Sequence, residues 1–124
     1  MYTICRDFEF AAAHRIRGHR GGCENLHGHN YRVRVCLQAR ELDELGMVLD
    51  FAELKAMMKE IVEPLDHRTI NDVPPFDERN TTAELLAAWV YEQVGRRLAG
   101  DRVQVSRVEV WENDRSCAVY SEAR

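Results

Sequence analysis

Tyr2-Thr3-Ile4-Cys5-Arg6-Asp7-Phe8-Glu9-Phe10-Ala11-Ala12-Ala13-His14 and His27-Gly28-His29-Asn30-Tyr31-Arg32-Val33-Arg34-Val35-Cys36-Leu37-Gln38-Ala39 are the two stretches that decide the fold. In the first, Tyr2, Ile4, Phe8, Phe10, Ala12 and His14 alternate with Thr3, Asp7 and Glu9, the period of a half-buried strand, and only Arg6 breaks it. In the second, His27, His29, Tyr31, Val33, Val35, Leu37 and Ala39 alternate with Asn30, Arg32, Arg34 and Gln38. Two amphipathic strands follow. Antiparallel pairing sets the end of one beside the start of the other, so His14, His27 and His29 converge on one apolar face. Between them, residues 15–26 include Gly18, Gly21 and Gly22 and are too long for a tight hairpin, as a functional loop would be.

Taken singly, a histidine in a strand is more often a core or surface residue than a ligand. Brought together, three imidazoles with no evident fourth protein ligand have the composition of a catalytic zinc site, whose open position takes water or substrate. Cys23, four residues before His27, has two readings. It closes a structural site as a fourth ligand, or its thiolate, favoured beside a metal, serves as nucleophile or base.

Composition narrows the class. The chain has 124 residues, 45% apolar and 31% charged, enough for a single domain over 1–124 and too few for two. No apolar run reaches bilayer length and the N-terminus lacks the pattern of a signal peptide, so a cytoplasmic protein is expected, with Cys5, Cys23, Cys36 and Cys117 as free thiols. A net charge of −4 gives no general attraction to nucleic acid or to anionic membrane and favours a small-molecule substrate.

After the second strand the period changes. Asp50 with Glu53 forms a capping signature, and Leu54, Met57, Met58 and Ile61 follow at helical spacing, predicting a helix over 51–63. Thr81 with Glu84 repeats the signature before the stripe Leu85, Leu86, Trp89, Val90, Val94 and Leu98, which stops at Gly100. Residues 102–112 and 116–121, around Asn113-Asp114-Arg115, read as a closing hairpin. The expectation is an α+β fold of order ββααββ: a four-stranded antiparallel sheet with two helices on one face. Two helices cover one face and leave strand edges unpaired, which predicts a homo-oligomer with a site between subunits.

Two further places carry chemistry. Adjacent Asp66 and His67 offer a carboxylate and an imidazole for a proton relay, although neighbours on an extended chain point apart and need a turn to meet. Glu112 continues the alternation of Val108 and Val110 onto an apolar face. A carboxylate there needs a partner, either the two N–H donors of a guanidine-like ligand edge or an arginine of the protein.

The chain is similar to the family of 6-pyruvoyl-tetrahydropterin and 6-carboxy-tetrahydropterin synthases along nearly its whole length. The resemblance rests on Phe10 through His14, Cys23 through Tyr31, Gly46 through Phe51, Leu65-Asp66-His67 with Asn71, Thr82-Ala83-Glu84, and Val108 through Glu112. It implies the T-fold, in which ββααββ subunits form trimers around a barrel and two trimers stack as a hexamer, with active sites between subunits. It implies that His14, His27 and His29 bind Zn2+, that Cys23 is the catalytic base, that Asp66 and His67 relay its proton, and that Glu112 anchors the pterin ring. It also sets Thr82 and Glu84 on the substrate side, the alternative for Glu84 being closure of its helix cap.

Within the family, the short spacing from Cys23 to His27 resembles the 6-carboxy branch of the queuosine pathway. The implied substrate is 7,8-dihydroneopterin triphosphate, with 6-carboxy-5,6,7,8-tetrahydropterin, acetaldehyde and triphosphate as products. Arg15, Arg17, His19 and Arg20 are candidates to hold the triphosphate. Thr81 and Asn113 stand where the family commonly has proline and threonine. The alternatives are the pyruvoyl synthase reaction and a non-catalytic protein that binds zinc and pterin.

Overall fold

A computed structural model describes residues 1–123. Strand β1 spans Tyr2–His14 and β2 spans His27–Ala39, paired antiparallel along their whole length, with His14 opposite His27 and Ala12 opposite His29. Helix α1 covers Phe51–Val62, β3 Arg68–Thr69, α2 Ala83–Arg97, β4 Gln104–Asn113 and β5 Ser116–Tyr120. The α+β class and its two helices are as expected, but the sheet has five strands, not four, in the order β3-β1-β2-β4-β5. The extra strand, β3, runs parallel to β1 and pairs only at Ala12 and Ala13. Two residues are too few to show a period, which is why the sequence read as loop.

The caps sit close to their expected places. Asp50 accepts a hydrogen bond from Ala52 N at 2.8 Å and starts α1. At α2 the cap is Thr82, whose hydroxyl accepts from Leu85 N at 3.2 Å, one residue later than the Thr81 expected. Thr81 is fully buried and has another task, described below.

The core fills the space between the helices and one face of the sheet. Tyr31, Val33, Val35 and Leu37 of β2, Val105, Val108 and Val110 of β4, and Leu54, Met58 and Ile61 of α1 are all buried there with Leu86, Val90 and Val94 of α2. The three histidines lie on this same face, where β1 ends and β2 begins. The opposite face carries polar side chains. Arg34 pairs with Asp7 at 2.7 and 3.0 Å, Arg107 and the Trp111 indole both donate to Glu109, and the Arg32 guanidinium lies 4.7 Å from the Trp111 ring centre. Such a face needs no protein layer over it.

One expectation is corrected. Cys5 and Cys36 are opposite one another in the β1–β2 register, 4.1 Å apart at Cα, and are joined as a disulfide. The free-thiol reading rested on compartment and took no account of register; Cys23 and Cys117 are free and exposed. Among the described residues no helix is long and apolar enough to cross a membrane.

Leu37, fully buried on β2, tests the packing. Leu37→Ala is expected to cost about 2–5 kcal/mol, read as a lower midpoint with unchanged slope in urea unfolding. A loss below about 1 kcal/mol would contradict the central place of β2 in the core.

Candidate active site

The β1–β2 ladder brings the imidazoles together, and backbone carbonyls orient two of them. His14 is fully buried, with Nδ1 2.8 Å from Thr81 O, and His27 has Nδ1 2.7 Å from Asn25 O. A carbonyl oxygen only accepts, so each Nδ1 carries a hydrogen and donates it. In the neutral ring Nε2 then holds a lone pair. These two Nε2 atoms are 3.1 Å apart, and two lone pairs do not bond each other. His29 is the third member, its ring centre 5.0 Å from that of His14 and 4.9 Å from that of His27. Burial holds the His29 imidazole below its ordinary pKa, toward the neutral form that ligates metals. Tyr31 packs edge-on against both His14 and His29, and burial keeps its phenol protonated.

A fourth donor arrives from β4. Glu112 Oε2 lies 3.3 Å from His14 Nε2 and 3.0 Å from His29 Nε2. The Glu112–His29 pair is close in distance but poorly aligned for a hydrogen bond, and His29 Nε2 is otherwise a buried nitrogen with no partner. We read the pair as two electron-rich atoms facing one point. The imidazole side of the site, His14 foremost, holds the Glu112 carboxyl below its usual pKa, against the opposing effect of burial, so it is anionic at neutral pH. One ligand atom from each of His14, His27, His29 and Glu112 lies within 4.8 Å of the others. Three inward nitrogens, two of them with the opposite ring nitrogen anchored, and one carboxylate suit a divalent metal such as zinc. Cys23 is not part of this group.

Asp66 and His67 meet through the turn that adjacency requires. His67 has a left-handed backbone, φ 58°, and its Nδ1 lies 3.0 Å from Asp66 Oδ1. The pair is fastened to β1: Asp66 Oδ1 accepts from Ala11 N at 3.0 Å, and His67 N donates to Ala11 O at 2.6 Å. Chiefly the Ala11 hydrogen bond holds the Asp66 carboxyl below its ordinary value. The anion fixes Nδ1 of an exposed imidazole and leaves Nε2 for proton transfer. His67 and Arg68 share with His29 and Asn30 a cleft of about 470 Å³.

The loop between β1 and β2 is fastened at its start. Asn71 exchanges two hydrogen bonds with the backbone of Arg15, Asn80 does the same with Arg17, and the Thr81 hydroxyl donates to Arg15 O at 2.9 Å. Arg17 donates to the carbonyls of Asn71, Phe76, Asp77 and Arg79 at 2.7–3.2 Å. Its guanidinium is therefore committed to the 71–79 segment and is not available for a triphosphate. Arg15, His19 and Arg20 are exposed. Nothing in the spacing of Arg17 signalled this clamp, which joins residues about sixty positions apart.

The other expected residues are more scattered. Cys23 is exposed in the short 3-10 turn Gly22–Glu24, and among the described residues no hydrogen bond or ion pair joins its thiol to His67 or Glu112. The Thr82 hydroxyl is taken up as a helix cap, and Glu84 is exposed in the first turn of α2.

The sequence model of the 6-pyruvoyl tetrahydropterin synthase family matches residues 3–123. The chain belongs to this family. Its similarity to a curated 6-carboxy-5,6,7,8-tetrahydropterin synthase from Synechocystis is 38% identity over 99 residues, covering 76% of this chain and 75% of the relative. A dihydroneopterin monophosphate aldolase from Pyrococcus furiosus is 34% identical over 85% of this chain and 84% of its own length. The solved structure of the Caenorhabditis elegans 6-pyruvoyl tetrahydropterin synthase superposes with a TM-score of 0.87 at 29% identity, covering 98% of this chain and 96% of that one. The subunit thus has the T-fold of this enzyme family, and its relatives are lyase-type enzymes acting on pterins.

Acid titration tests the Asp66 anchor. Because its carboxyl is lowered in the folded state, the contribution of the anchor is present above the unfolded pKa and is lost as pH falls through the lower folded value. Carboxyl NMR should show Asp66 titrating below 3.8, with the Ala11 amide shift following the same curve. An Asp66 midpoint above 3.8 would contradict the Ala11 bond.

Proposed function

We propose that this chain is a 6-carboxy-5,6,7,8-tetrahydropterin synthase of the queuosine branch, one T-fold domain over residues 1–124 acting in the cytoplasm. It takes 7,8-dihydroneopterin triphosphate and water to 6-carboxy-5,6,7,8-tetrahydropterin, acetaldehyde and triphosphate. The observation that carries this reading is the convergence of His14, His27, His29 and Glu112 at the strand ends, beside a cleft shared with the oriented Asp66–His67 pair. For the branch, support comes from the Synechocystis relative and from the three residues that separate Cys23 and His27.

His14, His27 and His29 would hold Zn2+. When bound, the metal supplies Lewis-acid polarisation of the substrate's side-chain oxygens. Every other part belongs to the protein. Cys23 as thiolate takes the proton from the activated side-chain carbon. His67, with Nδ1 fixed by Asp66, presents Nε2 to carry a proton between the thiol and the substrate. Glu112 accepts the two N–H donors along the guanidine-like edge of the pterin and so sets the ring. Thr82 and Glu84, at the entrance to α2, stand on the substrate side. Among the exposed basic residues of the loop, Arg15, His19 and Arg20 remain for the triphosphate.

Cys23 and the Asp66–His67 pair have no contact within one chain, so the reading requires neighbouring subunits to supply them to each other. Three features support a trimer closed as a barrel and stacked as a hexamer. β5 is a sheet edge, β1 is paired on its outer side only at Ala12 and Ala13, and the face away from the helices is polar. A water-filled barrel interior suits such a face.

The test is incubation of the zinc-loaded protein with 7,8-dihydroneopterin triphosphate, followed by mass spectrometry of the products. Acetaldehyde and 6-carboxytetrahydropterin are expected. 6-Pyruvoyltetrahydropterin would move the chain to the other branch, cleavage of the monophosphate alone would align it with the Pyrococcus furiosus aldolase, and pterin binding without turnover would make it a non-catalytic binder. Cys23→Ala is expected to lower turnover by about 10²-fold or more while the metal content stays unchanged, since general base catalysis contributes on that scale. Loss of the metal from this variant, seen by elemental analysis, would make Cys23 a ligand instead.

A further inference from the structure

We infer that Glu112 is a displaceable fourth ligand of the metal centre, closing the coordination sphere in the absence of substrate and leaving it when a pterin ring binds. The first observation is position. Glu112 Oε2 is within 3.3 Å of both His14 Nε2 and His29 Nε2, on the side toward which the ring nitrogens converge. A carboxylate oxygen there completes the three-nitrogen, one-oxygen donor set common for zinc, and its charge offsets part of the ion's. The sequence suggested an open fourth position; the structure puts an anion beside it.

The second observation concerns the backbone that carries Glu112 and is independent of the first. β4 and β5 pair Trp111 with Cys117 and Asn113 with Ser116, which leaves Glu112 as the extra residue of a β-bulge. A bulged residue makes no ladder pairing of its own, and the bulge sets the direction of its side chain locally. Thus the carboxylate that reaches the histidines is mounted on the bulge and is aimed independently of the regular ladder. Glu112 is also partly solvent-accessible, with 28% of its side chain exposed, so an incoming ligand can reach it.

The third step is chemical and rests on the pterin reading above. A ring edge with two N–H donors is held bidentately only when both carboxylate oxygens face it, which withdraws Oε2 from the metal. Ring binding and metal opening become one event. The substrate's side-chain oxygens then reach the metal only after the ring has been recognised, and the centre stays closed to other oxygen ligands until that moment.

The direct test is the structure of the zinc-loaded wild-type protein without substrate. A Glu112 oxygen at about 2.0–2.2 Å from zinc is expected; a water in that position with the carboxylate turned away overturns the proposal. The second test uses the cobalt(II)-loaded wild-type protein and unsubstituted pterin, which has no side-chain hydroxyls to bind the metal. Its visible spectrum should shift in step with pterin binding, followed by pterin fluorescence. Pterin binding with an unchanged spectrum overturns the displacement. Glu112→Gln should lower cobalt affinity about tenfold or more, and an unchanged affinity counts against ligation. If pterin fails to bind while zinc carries the Glu112 oxygen, the resting ligand stands and the pterin reading falls.

Discussion

Everything at this site depends on the register of one strand pair. β1 and β2 are 13 residues each and paired throughout, and their alternation permits only one face for the apolar set. A slip of one residue would turn His27 and His29 to the polar face and expose Tyr31, Val33, Val35 and Leu37. The hydrophobic effect therefore fixes the geometry of the histidine cluster: the four apolar side chains of β2 hold the pairing that aligns His14 with His27. Burial of each contributes about 1.5–3 kcal/mol, so the imidazoles are positioned by residues outside their cluster.

Around that pair the chain adds oriented carbonyls. Thr81 ties the entrance of α2 to the end of β1 by two bonds, its hydroxyl to Arg15 O and its carbonyl to His14 Nδ1. The Arg17 clamp and the Asn71 and Asn80 amides hold the same region from the other side. A proline at position 81 would keep the carbonyl for His14 and lose the hydroxyl, so the threonine gives this subunit an additional strap behind its most deeply buried imidazole.

Period and composition made the two long strands, both helices, the closing hairpin and the meeting of the histidines legible from the sequence. These are local or mirror-symmetric features, and apolar alternation records them directly. The turn that unites Asp66 with His67 was foreseen as a requirement; its solution, a left-handed His67 fastened to Ala11, depends on a strand over fifty residues earlier. Alternation puts Glu112 on the apolar face in need of a partner; that its partners are the histidines depends on the pairing of β4 with β2, which alternation within one strand does not reveal. β3 was too short to show a pattern. The disulfide is hidden for a different reason: the register that pairs His14 with His27 also pairs Cys5 with Cys36, and compartment says nothing of register. The role of Arg17 is not legible because a loop arginine has the same appearance in sequence whether it binds a phosphate or four carbonyls.

The attachment of Asp66 and His67 to Ala11 also blocks part of a sheet edge. Both peptide groups of Ala11 on the outer side of β1 are occupied, and the next outward residue, Ala13, is paired with β3. In an antiparallel strand the outward-facing peptides alternate, so those of Thr3, Cys5, Asp7 and Glu9 are what this edge offers to any strand outside the chain. The Asp66–His67 turn thus works as an end stop. A strand added along this edge meets the turn after Glu9, so the turn limits its register.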